Sequence, residues 1–438
     1  MRRQLECQLA LLSSNTGGFM WKYRCKSQLI ALIASFVMGV VLSAFTFQNN
    51  MAMFEAVLPE EMYNLAVNNT VLMYISSGFA VSGFVNVFLV TQLLMAQFNI
   101  SPIIVFMFLF LLPDYVLIAG TLLVIPMVIL SIYGMVSLSM EEKRNFSKQN
   151  IDSQAELVRI YSIHHKLVEE VKPMAEECRR NADRMTSLYI LGMVAIGCII
   201  VFVDNFMIWM LALLFFMFVF NALLRYRAQS FLPITALLYE KCDPEACASA
   251  IIYFSTRKGK IKIKNQTLLA QCLIYLDDPE LAQDFLINYP RRDASSSLNY
   301  WSLMGYINYL LKDEEALHRC KEEASKIRLG FGQTGVMIQS AEVGSIQNKI
   351  DLMDGELNTC KKYYLQNLQR AQFNFQIVDA SYYIALISFV EEDYVVARLY
   401  FNKVLQIGNK MNLVEKAQKY QEKMDAMHLD EEESEILA

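Results

Sequence analysis

The chain has 438 residues, of which 55% are hydrophobic and 19% charged, with a formal net charge of −5. That balance excludes both an ordinary globular protein and an all-membrane one, and without a net basic field nucleic acid is not an expected partner. Nine prolines and 17 glycines leave little room for disorder or an all-β fold, and the length suits two or three domains of ~100–200 residues.

Residues 1–26 are polar and basic and too long a lead-in for a cleavable signal peptide. No Lys or Arg occurs from Ser27 to Glu142. Ser27–Phe47 reads as one span, since ~20 apolar residues cross a ~30 Å hydrocarbon layer. Thr70–Leu94 is a second. Ile103–Met140 is too long for one helix and must fold back, with the turn either at Pro113-Asp114 or at Gly120-Thr121. Pro113-Asp114 is preferred because an aspartate is costly in lipid, which places a short third span at about Ala96–Leu112. A last hairpin, Thr186–Val203 and Phe206–Leu224 around Asp204-Asn205, brings the total to six.

Basic residues orient the spans. Arg2, Arg3, Lys22, Arg24 and Lys26 precede span one, nine Lys/Arg lie between Lys143 and Arg184, and Arg225 and Arg227 follow span six. All fall on one side, which makes both termini cytoplasmic. The loop Asn49–Asn69 carries only acidic charges, Glu55, Glu60 and Glu61.

Between spans four and five, Ser153-Gln154-Ala155-Glu156 is a capping-box pattern that opens a helix. Leu157, Tyr161, His164, Val168 and Val171 recur at helical spacing, and Pro173 is expected to end the run. A second stripe, Ile160, Ile163 and Leu167, predicts a face packed on the C-terminal domain. His164-His165 has no acidic or Cys ligand at i+4, so packing is preferred over a metal site.

From about Gln229 an internal repeat sets in. Cys242-Asp243-Pro244-Glu245-Ala246 and Asp277-Asp278-Pro279-Glu280-Leu281 sit 35 residues apart, each between apolar-periodic segments. Ala248, Ala282 and Ala316 are 34 apart, a helix-pair period. In "ALISFVEEDYVVARLYFNKV", Ala385, Ala397 and Phe401 fill the two small positions and the aromatic position of a tetratricopeptide unit, and Ala270, Ala282 and Leu286 fill them in an earlier one. On these residues the C-terminal half resembles the tetratricopeptide-repeat superfamily, in a degenerate form. Trp301, Gly305 and Tyr309 lie one position out of register, and Ala316 to Ala397 is 81 residues, not a multiple of 34. Helix pairs are expected near residues 245, 275, 310 and 390, with a less regular one near 360. The Gly-rich stretch Leu329–Ser345 is expected to interrupt the array. Leu413–Met427 reads as a polar cap over an open solenoid end, followed by the acidic tail Asp430–Glu433.

Nine cysteines (Cys7, Cys25, Cys178, Cys198, Cys242, Cys247, Cys272, Cys320, Cys360), scattered without metal spacing, read as free thiols in a reducing compartment. Gly330-Phe331-Gly332-Gln333-Thr334-Gly335 fits GxGxxG but lacks a preceding strand, so no dinucleotide site is expected. No nucleophile, zinc or phosphate-loop motif is present, the spans carry no internal ionisable residue, and Ser76, Ser77, Gly78, Ser82 and Gly83 suit a helix-packing face.

The expectation is an all-α, multi-pass integral membrane protein. Its parts are an N-terminal segment 1–26, a four-span region 27–140, a cytoplasmic insert 141–185, a hairpin 186–224 and a cytoplasmic tetratricopeptide-like α-solenoid 225–438. No enzyme activity, cofactor or metal is expected. Compactness and lack of linkers point to a bacterial cytoplasmic membrane. The resemblance implies a scaffold or adaptor that binds a cytoplasmic protein or peptide in a groove lined by the first helix of each pair. Its candidate residues are Lys264, Thr267, Gln271, Tyr275, Asn308, Tyr309, Asp379, Tyr382, Leu386 and Phe389. The basic cluster Arg257, Lys258, Lys260, Lys262 and Lys264 is a candidate contact for anionic lipid headgroups, against the alternative of a solvated loop. Two other classes stay open: an accessory or gating component of a transport or export system, and a regulator or immunity-type protein that recognises another membrane protein through its spans.

Overall fold

A computed structural model describes residues 16–49, 60, 64, 67–98, 113–148, 153–202, 206–329 and 333–436. Most of the expected third span, the Asp204-Asn205 turn, Cys7 and Gly330-Phe331-Gly332 lie outside the described residues. Among the described residues the chain is helical, apart from a two-stranded ribbon, Thr256–Arg257 with Lys260–Ile261. It divides into two units. The first comprises residues 1–144, 192–217 and 290–293, and the second residues 145–191, 218–289 and 294–438.

In the first unit, α1 (Thr16–Asn49), α2 (Thr70–Phe98), α3 (Pro113–Leu122) and α4 (Val124–Lys148) follow in order. Three stretches, Trp21–Phe45, Thr70–Thr91 and Val124–Ser147, are long and apolar enough to cross a membrane. At 22–25 residues they measure about 33–38 Å. Large side chains such as Ile33, Val37, Phe84, Phe88, Ile125 and Ile129 stand exposed, as a lipid-facing surface requires.

Small residues let these helices approach closely, since lipid supplies no hydrophobic drive for association. A Cβ on Gly39 would lie 2.8 Å from the Ser77 carbonyl, and one on Gly120 would lie 2.6 Å from the Gly83 carbonyl. Ser82 Oγ donates to the Leu32 carbonyl at 3.2 Å and Asn86 Nδ2 to that of Gly120 at 2.9 Å. Gly120 is thus a crossing point inside a helix, not a turn. Helical bonding passes over Leu123, from Leu123 N to Ala119 O and from Met127 N to Leu123 O, both at 3.0 Å. Pro113 opens α3, where its missing N–H is not needed.

The second unit contains α5 (Gln154–His164), a 3-10 turn at Glu169–Val171 and the first part of α6 (Lys172–Phe202), whose residues from 192 on belong to the first unit. Ser153 stands at the N-cap without a side-chain cap bond, so the capping box does not form. Pro173 sits in the first turn of α6 and starts a helix instead of ending one, because α5 has already stopped at His164. Leu157, Val158 and Tyr161 are buried in the core of this unit. The insert is also tied by polar bonds: Ile263 N donates to Gln154 Oε1 and Val168 N to Ser249 Oγ, both at 3.0 Å.

After α7 (Phe206–Gln229) come five helix pairs: α8 (Leu232–Tyr239) with α9 (Pro244–Ser255), α10 (Gln266–Tyr275) with α11 (Pro279–Leu286), α12 (Ala294–Leu310) with α13 (Glu314–Lys326), α14 (Gln333–Asp354) with α15 (Leu357–Arg370), and α16 (Asn374–Val390) with α17 (Tyr394–Ile407). α18 (Asn412–Ile436) closes the chain. Four of the turns inside pairs share one construction. Cys242, Asp277, Lys312 and Glu392 take positive φ of 52°, 65°, 59° and 62°, ending the first helix. The next residue, Asp243, Asp278, Asp313 or Asp393, caps the second helix by accepting from the amide three residues on, at 2.9–3.2 Å. Each such cap contributes about 1 kcal/mol.

The fourth pair departs from this pattern. Gly355 (φ 80°) and Glu356 occupy its turn without a side-chain cap, and its first helix runs to 22 residues. From Gln333 onward the Gly-rich stretch forms a long helix rather than breaking the array, and its extra length supplies part of the irregular 81-residue interval. Gln333, Thr334 and Gly335 lie in its first turn, after a helix and not a strand. At the helix crossings Ala248, Ala270, Ala282, Ala385, Ala397 and Phe401 are fully buried. Ala316 is half-buried, and Leu317 takes the inward place.

The pairs do not end on an open face. Asn374 Nδ2 donates to the Glu240 carbonyl at 2.6 Å, Asn409 Nδ2 to that of Lys241 at 2.8 Å and Lys410 N to that of Cys242 at 3.3 Å. Lys410 Nζ pairs with Asp243 at 3.1 Å, and Lys416 Nζ with Asp277 at 2.7 Å. The last turns and the start of α18 are thus fastened to the turns of pairs one and two. α16 is buried on nearly every side, from Val378 to Ser388. The last pair is thus packed within the unit and tied to the first.

Candidate functional site

A pocket of about 230 Å³ opens on the inner side of the second unit. The first helix of each of the first four pairs contributes to its lining. These are Tyr239 on α8, Gln271 on α10, Asn299, Ser302, Leu303 and Tyr306 on α12, and Glu342, Ser345, Ile346 and Lys349 on α14. Close crossing of α12 and α14 depends on Gly305, where a Cβ would meet Ile346 Cγ1 at 3.0 Å. Ser302 Oγ donates to Glu342, which holds that carboxylate at the wall.

Lys349 is the unusual member. It is 5% exposed, and burying an ammonium costs several kcal/mol unless other groups compensate. Four tyrosine faces surround its Nζ, with centroids at 3.9 Å (Tyr383), 4.0 Å (Tyr306), 5.0 Å (Tyr309) and 5.5 Å (Tyr364). It donates to Tyr364 Oη at 2.9 Å. Each ring face offers roughly 0.5–2 kcal/mol to a desolvated cation. Among the described residues no carboxylate pairs with it directly. Burial pushes its pKa down to about 8, against the opposing charges of Asp379 and Cys360.

The balancing negative charge stands one ring away. Asp379 Oδ1 accepts from Tyr306 Oη at 2.8 Å and from Tyr275 Oη at 3.4 Å, and the hydroxyls of Tyr306 and Tyr383 lie 3.2 Å apart. Burial, and then the negative charge of Asp379, pushes the Tyr275 and Tyr306 phenols well above their ordinary range, so they remain donors. Tyr306 thus gives its face to the cation and its hydroxyl to the anion. The pocket wall carries one ammonium, one carboxylate, amides and hydroxyls. It can accept a charged polar group without any bond being made or broken.

Of the expected groove residues, Gln271 lines the pocket, and Tyr275, Tyr309 and Asp379 belong to the cluster around Lys349. Tyr275 and Tyr382 are buried at 4% and 6% exposure, so neither is a free aromatic anchor. Asn308 is buried and donates to Cys320 Sγ at 3.3 Å. Tyr382 packs on Phe401, Phe389 on Tyr394 and Tyr420, and Leu386 on the core. Thr267 is half-buried outside the pocket lining, and Lys264 is exposed, with Nζ 5.1 Å from the Phe254 ring. Partial burial, followed by the positive charges of Arg227, Arg257 and Arg179, lowers the Lys264 pKa against the pull of Asp183.

The basic cluster forms the ribbon and its exit. Lys258 and Gly259, with φ of 47° and 74°, make the hairpin turn, and Arg257, Lys258, Lys260 and Lys262 are exposed. Arg257 lies 3.7 Å from Asp183. The described cysteines Cys25, Cys178, Cys242, Cys247, Cys272, Cys320 and Cys360 are free and buried.

Sequence reasoning missed Lys349, Tyr306, Tyr364, Tyr383, Ser302 and Glu342. A signal for Lys349 existed, because it interrupts an apolar stripe at helical spacing, Ile346–Ile350–Met353. Comparison of the chain with protein-family models, with characterised proteins and with solved structures gives no match.

Proposed function

We propose that this chain is a membrane-anchored adaptor that receives an acidic side chain or terminal carboxylate of a partner segment in the Lys349 pocket. The observation that carries this reading is a buried ammonium without a direct carboxylate partner, at the wall of a pocket lined by the first helices of four pairs. The tetratricopeptide-like period suggests the same inner face as a peptide-binding surface. A cavity of about 230 Å³ suits one or two side chains, not a whole helix. Photo-crosslinking in intact cells tests the idea. A photoreactive side chain at Asn299 should give a defined protein adduct that disappears with Lys349→Met. The same probe at Val395, which is 83% exposed, should give none. No adduct from Asn299, or the same adduct from both positions, would sink the proposal.

We further infer six spans with both termini on the cytoplasmic side, so that the helix pairs form a cytoplasmic solenoid-derived domain. The support is the one-sided distribution of basic residues together with the exposed apolar faces of α6 (Leu188, Leu191, Val194) and α7 (Leu211, Leu214, Phe218). Cysteine substitution with an impermeant maleimide, in a chain with Cys7 and Cys198 replaced by serine, checks the orientation. The described native thiols are buried, which keeps their background low. Asn49→Cys should label from outside and Arg159→Cys only after permeabilisation. The reverse pattern overturns the topology.

A further inference from the structure

His164 and His165 come together with a residue 113 positions away. His164 is the last residue of α5, and His165 is extended (φ −130°, ψ 151°), so the two adjacent rings point from different backbone geometries. His164 Nδ1 lies 2.8 Å and His165 Nε2 3.1 Å from the same oxygen, Asp278 Oδ2. The other oxygen, Oδ1, accepts the Leu281 amide at 3.2 Å as the cap of α11. The carboxylate is therefore divided, with one oxygen fixed by the helix it caps and the other presented to two imidazoles. All three ligand atoms lie within 4.8 Å of one another.

We propose that His164, His165 and Asp278 form a divalent transition-metal site, best matched to Zn²⁺. Two imidazole nitrogens and one carboxylate oxygen are a borderline ligand set, and three protein ligands plus water is the arrangement of an open tetrahedral zinc site. With metal–ligand distances of ~2.0–2.2 Å, ligand atoms of a tetrahedron stand about 3.3 Å apart. The two nitrogen–oxygen separations need to grow by a few tenths of an ångström, and the two ring nitrogens, within 4.8 Å of each other, need to stand at about 3.3 Å. The His164 side chain is 50% exposed, which leaves the fourth position open to water, whereas His165 and Asp278 are mostly shielded. Two features orient the ligands from behind: the Leu281 amide on the carboxylate, and the Tyr161 ring 5.2 Å from His165. In the metal-free molecule each ring uses an N–H to reach Asp278. On binding, the metal takes the ring nitrogen that faces Asp278, and the N–H of each neutral imidazole moves to its other ring nitrogen, so no net proton is lost from the rings.

The site joins the α5 insert to the turn of the second helix pair, so an ion there would clamp the insert onto the pairs. A ligand bound only by the folded state stabilises it by mass action.

The full chain, purified in detergent without a polyhistidine tag and stripped with chelator, should be titrated with Co²⁺. The expected result is one equivalent of Co²⁺ with an intense tetrahedral visible spectrum, displaced by Zn²⁺, and a Zn²⁺-dependent rise in melting temperature. His164→Gln/His165→Gln should lose both signals. Asp278→Asn, which keeps an oxygen to cap α11, should weaken them while its metal-free melting stays near that of the parent. His318→Gln, on α13, should change nothing. A pale octahedral spectrum in the parent, or an unchanged tetrahedral spectrum in the double variant, overturns the site.

Discussion

Leu157→Asp is expected to cost on the order of 5 kcal/mol and to loosen residues 244–286. Leu157 is 1% exposed, beside Tyr161 at 0% and Val158 at 7%, within the continuous core of the second unit. Removing a buried leucine costs about 2–5 kcal/mol by itself. An aspartate there would also need water that this packed core does not admit. Hydrogen exchange should show faster amides along α9 to α11, with little change in α17 and α18. Leu157→Met, which conserves volume, should stay within about 1.5 kcal/mol of the parent. Unchanged exchange in the Asp variant would mean that the insert is not part of this core.

Lys349→Met should stabilise the second unit at pH 7, by about 1–3 kcal/mol, while removing the carboxylate-binding function proposed for it. The methionine keeps most of the length among the tyrosine rings without the desolvation cost. The pH dependence gives an independent readout. The unfolded chain holds the lysine proton up to about its ordinary pKa of 10.5, the folded chain only to about 8. Between these values the folded state binds fewer protons at this site, so the Lys349 contribution alone rises with pH, by up to ~3 kcal/mol. Burial holds the thiols of Cys242, Cys320 and Cys360 up at about 11 and gives the opposite slope. The phenols of Tyr275, Tyr306, Tyr364 and Tyr383, which burial holds well above their ordinary value, add to that opposite slope as pH approaches 10. The unfolded chain then loses protons that the folded chain keeps. Denaturant titrations from pH 7 to 10 should show the stability difference between parent and Lys349→Met move in the parent's favour by up to ~3 kcal/mol, because the thiol and phenol contributions are common to both. If the variant is less stable by more than about 1 kcal/mol, the lysine serves folding rather than recognition.

Sequence alone determined the class, the helix-pair rhythm and many local elements, because these depend on near neighbours along the chain. The long apolar runs announce three membrane-length helices, and Asp243, Asp278 and Asp313 cap their helices wherever they occur in a turn. Leu157 and Tyr161 declare a buried face through their spacing alone. Tertiary structure decided what the inner side of the array holds. No local pattern says that Asn409 and Lys410 reach back to Lys241 and Cys242, or that α16 is buried on nearly every side. The tyrosine box gathers residues from three helices around one ammonium, and its energy lies in ring faces whose directions are set only by packing. The same holds for Asp278. From the sequence it is a helix cap, and it enters the metal site proposed above only because the fold brings its second oxygen to His164 and His165.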